Sequence, residues 1–317
     1  MRPYTYEGSI IINQTIRFLV YLTLLSGIAA CGGSGGTDSA SPPTQPPAKL
    51  LTSVDLASFD NPPPDARIKY GDDPLQFGDL RVPMGDGPYP VAIFIHGGCW
   101  QAQYDISYTS KIAAAFAVNG IATWSLEYRR VGNEGGGWPG TFLDIGAGAD
   151  HLRSIAKSHN LDLDRVITMG HSAGGHLAIW LSARSTIPVE SEIGAEDPIP
   201  VAGVLALTPA PNLGGLHKQR VCGHVIDGLM GGSPEEYPDR YRWGDPMQLV
   251  PENVPQIIVV GKYDSIWAPS GLKYFKAAEE RGDSVRLIEA TESGHLEVID
   301  PDSSSWNLVL DTARELL

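Results

Sequence analysis

The chain is predicted to adopt an α/β fold, a mostly parallel eight-stranded sheet with helices on both faces. Three observations predict it. From residue 67 onward, apolar runs of strand length alternate with helix-length segments, the pattern left by βαβ units. One run, residues 166–169, passes through Gly170-His171-Ser172-Ala173-Gly174 straight into a helix-like run, residues 176–183. Hydrophobic residues make up 42% of the 317, enough to fill one large core.

Taken in order, residues 67–70 and 76–82 read as a leading hairpin, and residues 91–96 as a buried strand. Residues 106–119 form a helix that stops at Gly120, placed where a C-cap glycine belongs. A strand over 121–128, a helix over 142–159 and the strand over 166–169 follow. Residues 201–207, 256–260 and 285–289 supply three more strands, and residues 269–281 and 303–316 two more helices. Ligands of such a sheet lie at the carboxyl ends of its strands. Residues 209–251 are rich in Gly, Pro and aromatics and are expected to carry short helices over that end, as a partial lid or pocket wall. Glu134-Gly-Gly-Gly-Trp138 is expected to be a mobile loop near the site.

The catalytic domain is expected over residues 51–317. In front of it, Arg2 and Arg17 precede an apolar run over residues 18–30, short for a bilayer span and laid out like a secretory signal peptide. Ile28-Ala29-Ala30-Cys31 resembles a bacterial lipobox, which implies a lipidated Cys31 as the mature N-terminus. Gly32 in place of Asp resembles the outer-membrane class of Gram-negative cells. Residues 31–50 hold the Gly/Ser/Pro stretch GGSGGTDSASPPTQPPAK, a tether by composition. The expected protein is therefore exported and held on the periplasmic side of the outer membrane by lipid alone. A net charge of −14 argues against nucleic acid and against charge-driven binding to anionic membranes.

The turn after residue 169 carries the chemistry. Glycines two residues before and two after Ser172 remove the Cβ atoms that would clash in a sharp reversal, so the serine can sit strained with its hydroxyl exposed. This is the layout of a nucleophile elbow. A serine hydroxyl needs a base, and the base an orienting acid. Asp264 follows the strand over 256–260, where the acid belongs, and its alternative is an ordinary turn Asp. His295 follows the strand over 285–289 and is the one histidine of eight after both Ser172 and Asp264. The oxyanion of a tetrahedral intermediate needs donors. Gly98, Cys99 and Ala173 are the expected backbone donors, with Gly97 shaping the loop His96-Gly97-Gly98-Cys99-Trp100. His96 is expected to hydrogen-bond this loop, and Trp100 to pack beneath it.

Elbow, oxyanion loop, acid and base together resemble the α/β-hydrolase family over residues 67–317. The His-Gly-Gly-x-Trp form is similar to the branch of hormone-sensitive-lipase-like esterases and kynurenine formamidases. So are Glu127-Tyr-Arg-Arg130, Trp138-Pro-Gly-Thr-Phe-Leu-Asp144 and His295-Leu-Glu-Val-Ile-Asp-Pro301. The resemblance implies a serine hydrolase of small acyl or aryl esters or of formamides, with a small-molecule substrate and neither metal nor organic cofactor. Cysteine at position 99 departs from the Gly or Tyr common there. A peptidase and an inactive binding protein on the same fold are the remaining readings. The complete Ser, Asp and His set argues against the last.

Cys99 and Cys222 are either a disulfide pinning the 209–251 segment to the oxyanion loop or two buried thiols. His171 reads as a packing residue, and the pairs Asp72-Asp73 and Glu235-Glu236 as solvated turns rather than metal ligands.

Overall fold

In a computed structural model the described residues are 49–249, 251 and 253–317. Cys31, the signal-peptide segment and the tether through residue 48 lie outside them. Eight strands form one sheet: β1 (Ala66–Lys69), β2 (Phe77–Arg81), β3 (Tyr89–Ile95), β4 (Ala122–Leu126), β5 (Leu161–His171), β6 (Gly203–Leu207), β7 (Gln256–Gly261) and β8 (Val285–Ala290). Their order is β1-β2-β4-β3-β5-β6-β7-β8. β1 pairs antiparallel to β2 and β2 to β4, as the leading hairpin requires. All other pairs are parallel.

The two faces of the sheet follow from the period-2 alternation of strand side chains. Val91, Ile93 and Ile95 of β3 point into one core with Phe142, Leu177 and Trp180, while Ala92 and Phe94 point into the other with Ile112, Phe116 and Val309. Helices Gly140–Asp150, Ala173–Ser182 and Ala268–Arg281 cover the first face. Ser110–Val118 and Trp306–Glu315 cover the second. Burial of each large side chain contributes about 1.5–3 kcal/mol.

Register positions the site. Ile95 lies opposite Gly170, so the chain leaving β3 emerges beside the chain leaving β5. Gly261 lies opposite Ala290, so the loops after β7 and β8 also emerge together. Four loops therefore converge at one end of the sheet, at the strands' carboxyl ends.

Three differences from expectation stand out. β5 spans 11 residues, because Leu161 pairs with Tyr89 ahead of an irregularity in β3. The helix expected over 142–159 is two, Gly140–Asp150 and Leu152–Ile155. The helix after the elbow begins at Ala173 rather than residue 176, since the reversal at Ser172 commits the chain to helix despite Gly174 and Gly175.

Segment 209–251 carries helices Leu213–Gln219, Val225–Met230 and Pro238–Gly244. These bury Leu213, Leu229, Met230 and Tyr241 in the first core, and Trp180 Nε1 donates to the Trp243 carbonyl at 2.9 Å. The segment is a packed flank of the core. Ahead of β1, a four-residue helix, Ser53–Leu56, is closed by a capping box in which Thr52 and Asp55 exchange bonds.

Candidate active site

Ser172 is 3% exposed and has φ 56° and ψ −119°, a conformation in which an L-residue is strained. It persists because its neighbours leave no alternative. A Cβ on Gly170 would lie 2.1 Å from the Gly174 carbonyl oxygen, and one on Gly174 would lie 2.1 Å from that of Ile95. Strand and helix are thus pressed together until only glycine fits, and Ser172 is left at the apex. Its amide donates to the Leu207 carbonyl at 3.0 Å, anchoring the elbow to β6.

A cavity of about 400 Å³ opens here. Ser172, Asp264 and His295 all line it, with Gly98, Cys99 and Trp267. His295 Nδ1 and Asp264 Oδ2 are 2.6 Å apart. An ionised carboxylate only accepts, so Nδ1 carries the proton and Nε2 keeps its lone pair. Asp264 is itself held by its other oxygen, which accepts from Trp267 N at 2.9 Å and Ile266 N at 3.3 Å. The Trp267 ring stacks on the imidazole, centroids 5.5 Å apart at 24°. The three residues singled out from sequence, up to 123 positions apart, are brought to one cavity.

The loop over residues 96–100 turns over the elbow through three successive residues at positive φ: Gly98 (103°), Cys99 (50°) and Trp100 (52°). At Gly98 even an alanine would strike Tyr104, whose Cβ lies 2.4 Å from the ideal Cβ position. Gly97 is pressed against the His171 carbonyl in the same way. The N–H groups of Gly98, Cys99 and Ala173 donate to no described backbone carbonyl, and Ala173 opens a ten-residue helix, where unpaired amides and the helix dipole favour negative charge. Trp100 is fully buried under the loop.

Cys99 and Cys222 are bonded, with Cα atoms 6.2 Å apart. The bond joins the loop over residues 96–100 to the 209–251 segment. None of the cavity's lining residues lies in that segment, and the bond ties it to Cys99, which does line the cavity. The outer wall expected from the segment is supplied instead by Leu51, Thr52, Ser53 and Leu56. Glu297 fixes this strap: its carboxylate accepts from the Leu51 amide and, at 2.8 Å, from the Gly294 amide beside His295. The Glu134–Trp138 loop is also tied down rather than free, by Gly137 N to Thr141 Oγ1 at 3.0 Å and Trp138 Nε1 to Glu192 at 2.7 Å. For a loop of this length the disulfide is expected to stabilise the fold by roughly 2–5 kcal/mol. Reduction should therefore lower the denaturant midpoint. Thiol titration of the denatured protein should find no free thiol in residues 50–317 before reduction and two after.

Three buried histidines frame the site, each with a fixed proton. His96 Nδ1 donates to the Gly97 carbonyl at 2.9 Å, and its Nε2 accepts from Arg130 at 3.1 Å. His176 Nε2 donates to the Gly244 carbonyl at 2.8 Å while Nδ1 accepts from Trp100 Nε1 at 3.2 Å. His171 Nε2 lies 2.7 Å from the His295 carbonyl. Burial is the main cause that lowers all three, His96 to about 3, His176 to about 4 and His171 well below 6.5. The unfolded chain therefore binds protons more readily than the folded one below pH 6.5, and stability must fall with pH there. The melting temperature is expected to hold above pH 6.5 and to drop progressively toward pH 4. Substituting His176 by Gln should flatten that drop.

The BD-FAE family profile matches residues 79–276, the span from β2 into the helix before β8. Esterase LipC of Mycobacterium tuberculosis is 24% identical over 255 residues, 78% of this chain. The match spans 61% of LipC's own length. Among solved structures, esterase B from Lactobacillus rhamnosis superposes with a TM-score of 0.70 at 21% identity, covering 83% of this chain and 90% of that one. A truncated carbohydrate esterase from gut microbiota gives 0.66 at 20% identity, covering 79% and 94%. At these identities the structural likeness speaks for the α/β-hydrolase fold.

Proposed function

For a chain that belongs to the BD-FAE family, we propose serine hydrolysis of small acyl or aryl esters through an acyl-enzyme. The observation that carries it is the His295–Asp264 pair facing the cavity of a strained Ser172. With its Nδ1 proton given to Asp264, the imidazole has Nε2 free to take the Ser172 proton as Oγ attacks the ester carbonyl. The Gly98, Cys99 and Ala173 amides receive the oxyanion, each such donor being worth roughly 10²–10³ in rate. Collapse expels the alkoxide, which takes the proton from Nε2. Water, deprotonated by the same nitrogen, then attacks the acyl-enzyme, and Ser172 leaves with its proton restored. Esterase LipC supports the ester reading by its name. The cavity, with Leu51, Leu56, Ile266 and Trp267 in its walls, suits a small apolar acyl or aryl group.

The reading extends to location. The lipobox-like Ile28-Ala29-Ala30-Cys31 and the tether after it support an exported protein anchored by lipid at Cys31. The Cys99–Cys222 bond fits an oxidising compartment.

A fluorophosphonate probe tests the chemistry directly. Intact mass and peptide mapping of the labelled protein should show one adduct, on Ser172. Hydrolysis of p-nitrophenyl acetate and of N-formylkynurenine, side by side, then separates ester from formamide preference. A folded protein that takes no adduct overturns the hydrolase reading and leaves a binding protein.

A further inference from the structure

His171 is buried beside the candidate nucleophile and does not line the cavity, so it touches no substrate there. Its two ring nitrogens are nonetheless both engaged, and with partners far away in the chain. Nε2 sits 2.7 Å from the His295 carbonyl oxygen. A carbonyl cannot donate, so Nε2 carries the proton. The ring is held neutral by burial, so Nδ1 is the acceptor, and its donor is the Tyr108 hydroxyl. The His295 carbonyl thus dictates that Nε2 of His171 bears the hydrogen that grips this backbone, and the Tyr108 hydroxyl, able to donate or accept, donates to Nδ1 and supports that tautomer. Thr208 Oγ1 also reaches this carbonyl, at 3.4 Å, a weaker contact by its length.

The side chain of His295 hangs from the peptide so held. Its ring lies against His171, centroids 4.5 Å apart at 46°, and on its other contacts it has Asp264 and Trp267. The Asp264 bond fixes Nδ1 and the direction of the proton but leaves the imidazole free to swing about that bond. A second fixed point on the backbone removes the swing and aims Nε2. Charge sets a further condition. When His295 takes the serine proton it becomes a cation against the His171 ring, and only a neutral His171 leaves that cation unopposed.

We infer that His171, its Nε2–H tautomer supported by Tyr108, is a positioning residue that aims His295 by holding its backbone carbonyl. The inference rests on the serine-hydrolase reading above and assigns a role to the residue one position before the nucleophile. A glutamine side chain can present an N–H close to the place of Nε2, whereas leucine fills the volume and donates nothing. In Tyr108→Phe the ring, which also lines the cavity, stays and the donor to Nδ1 is lost.

The test compares His171→Leu, His171→Gln and Tyr108→Phe with the wild type in p-nitrophenyl acetate kinetics, fluorophosphonate labelling rate and melting temperature. Misplacing a base by about an ångström costs on the order of 10²-fold. His171→Leu is therefore expected to lower kcat roughly 30- to 100-fold and slow labelling in parallel, with KM within about 3-fold of wild type. His171→Gln should recover most of the loss, and Tyr108→Phe should fall between them. Full activity in a folded His171→Leu overturns the inference. So does a His171→Gln enzyme as impaired as His171→Leu at unchanged melting temperature. Should His171→Leu not fold, His171→Phe takes its place, since it too fills the volume and donates nothing: full activity there overturns the inference, and a kcat loss at constant KM supports it. Failure of the hydrolase reading is seen separately, as a wild-type protein that neither labels nor turns over.

Discussion

Ser172→Ala is expected to reduce ester turnover roughly 10⁶-fold while leaving the fold in place. Alanine keeps the Cβ and changes only the hydroxyl, so the constraints from Gly170 and Gly174 that impose φ 56° and ψ −119° act on it unchanged. The amide bond to Leu207 is also retained. The oxyanion loop, the His295–Asp264 pair and the cavity all survive, so substrate should still bind. What disappears is the covalent path. Residual catalysis of about 10³–10⁴ over water, from polarisation by the oxyanion amides alone, is expected to remain. The measurement is kcat on p-nitrophenyl acetate together with a melting curve. Turnover at a tenth of wild type or more, in a folded protein with no fluorophosphonate adduct, would place the nucleophile elsewhere.

Asp264→Asn is expected to cost roughly 10⁴ in kcat, through the proton on His295 rather than through loss of structure. Asp264 uses its two oxygens differently: one accepts from the Trp267 and Ile266 amides, the other from His295 Nδ1. An asparagine is forced by the first pair to keep its carbonyl oxygen toward the loop. Its NH2 group then faces His295, which must accept at Nδ1 and carry its proton on Nε2, the nitrogen that has to take the serine's. Kinetics and melting temperature together check this. A loss of less than tenfold at unchanged stability would remove Asp264 from the orienting role, and a loss accompanied by unfolding would indicate that the carboxylate's loop contacts were its main work.

Both arguments start from residues that the sequence alone brings forward. Strand, glycine-flanked serine and helix are local, so Ser172 is legible within a dozen positions. Asp264 and His295 are legible because each follows an apolar strand-length run in the order this fold demands. The rest depends on long-range proximity. Tyr108 and His171 are 63 positions apart, and His171 and His295 are 124, so no spacing announces their contact. His171 accordingly looked like packing alone. The strap is not legible because Ser53–Leu56 buries none of its own residues and shows no apolar period. Thr52 and Asp55, at capping-box spacing, were its one sequence signal. The wall expected of residues 209–251 is formed by that strap, since the helices of the segment bury Leu213, Leu229, Met230 and Tyr241 in the first core. The sequence leaves Cys99 and Cys222 open between two thiols and a bond, and the fold brings them together.

That bond makes a closed ring of the chain from Cys99 to Cys222, and Ser172 sits on it. The exposed turn around Val189 lies on the same ring, with that valine 51% exposed. A protease that cuts there produces two pieces that cannot diffuse apart, each carrying part of the sheet and joined through the oxyanion loop. Where a linear chain would shed a fragment, this one is merely opened, and the piece carrying Asp264 and His295 stays covalently tied to the piece carrying Ser172.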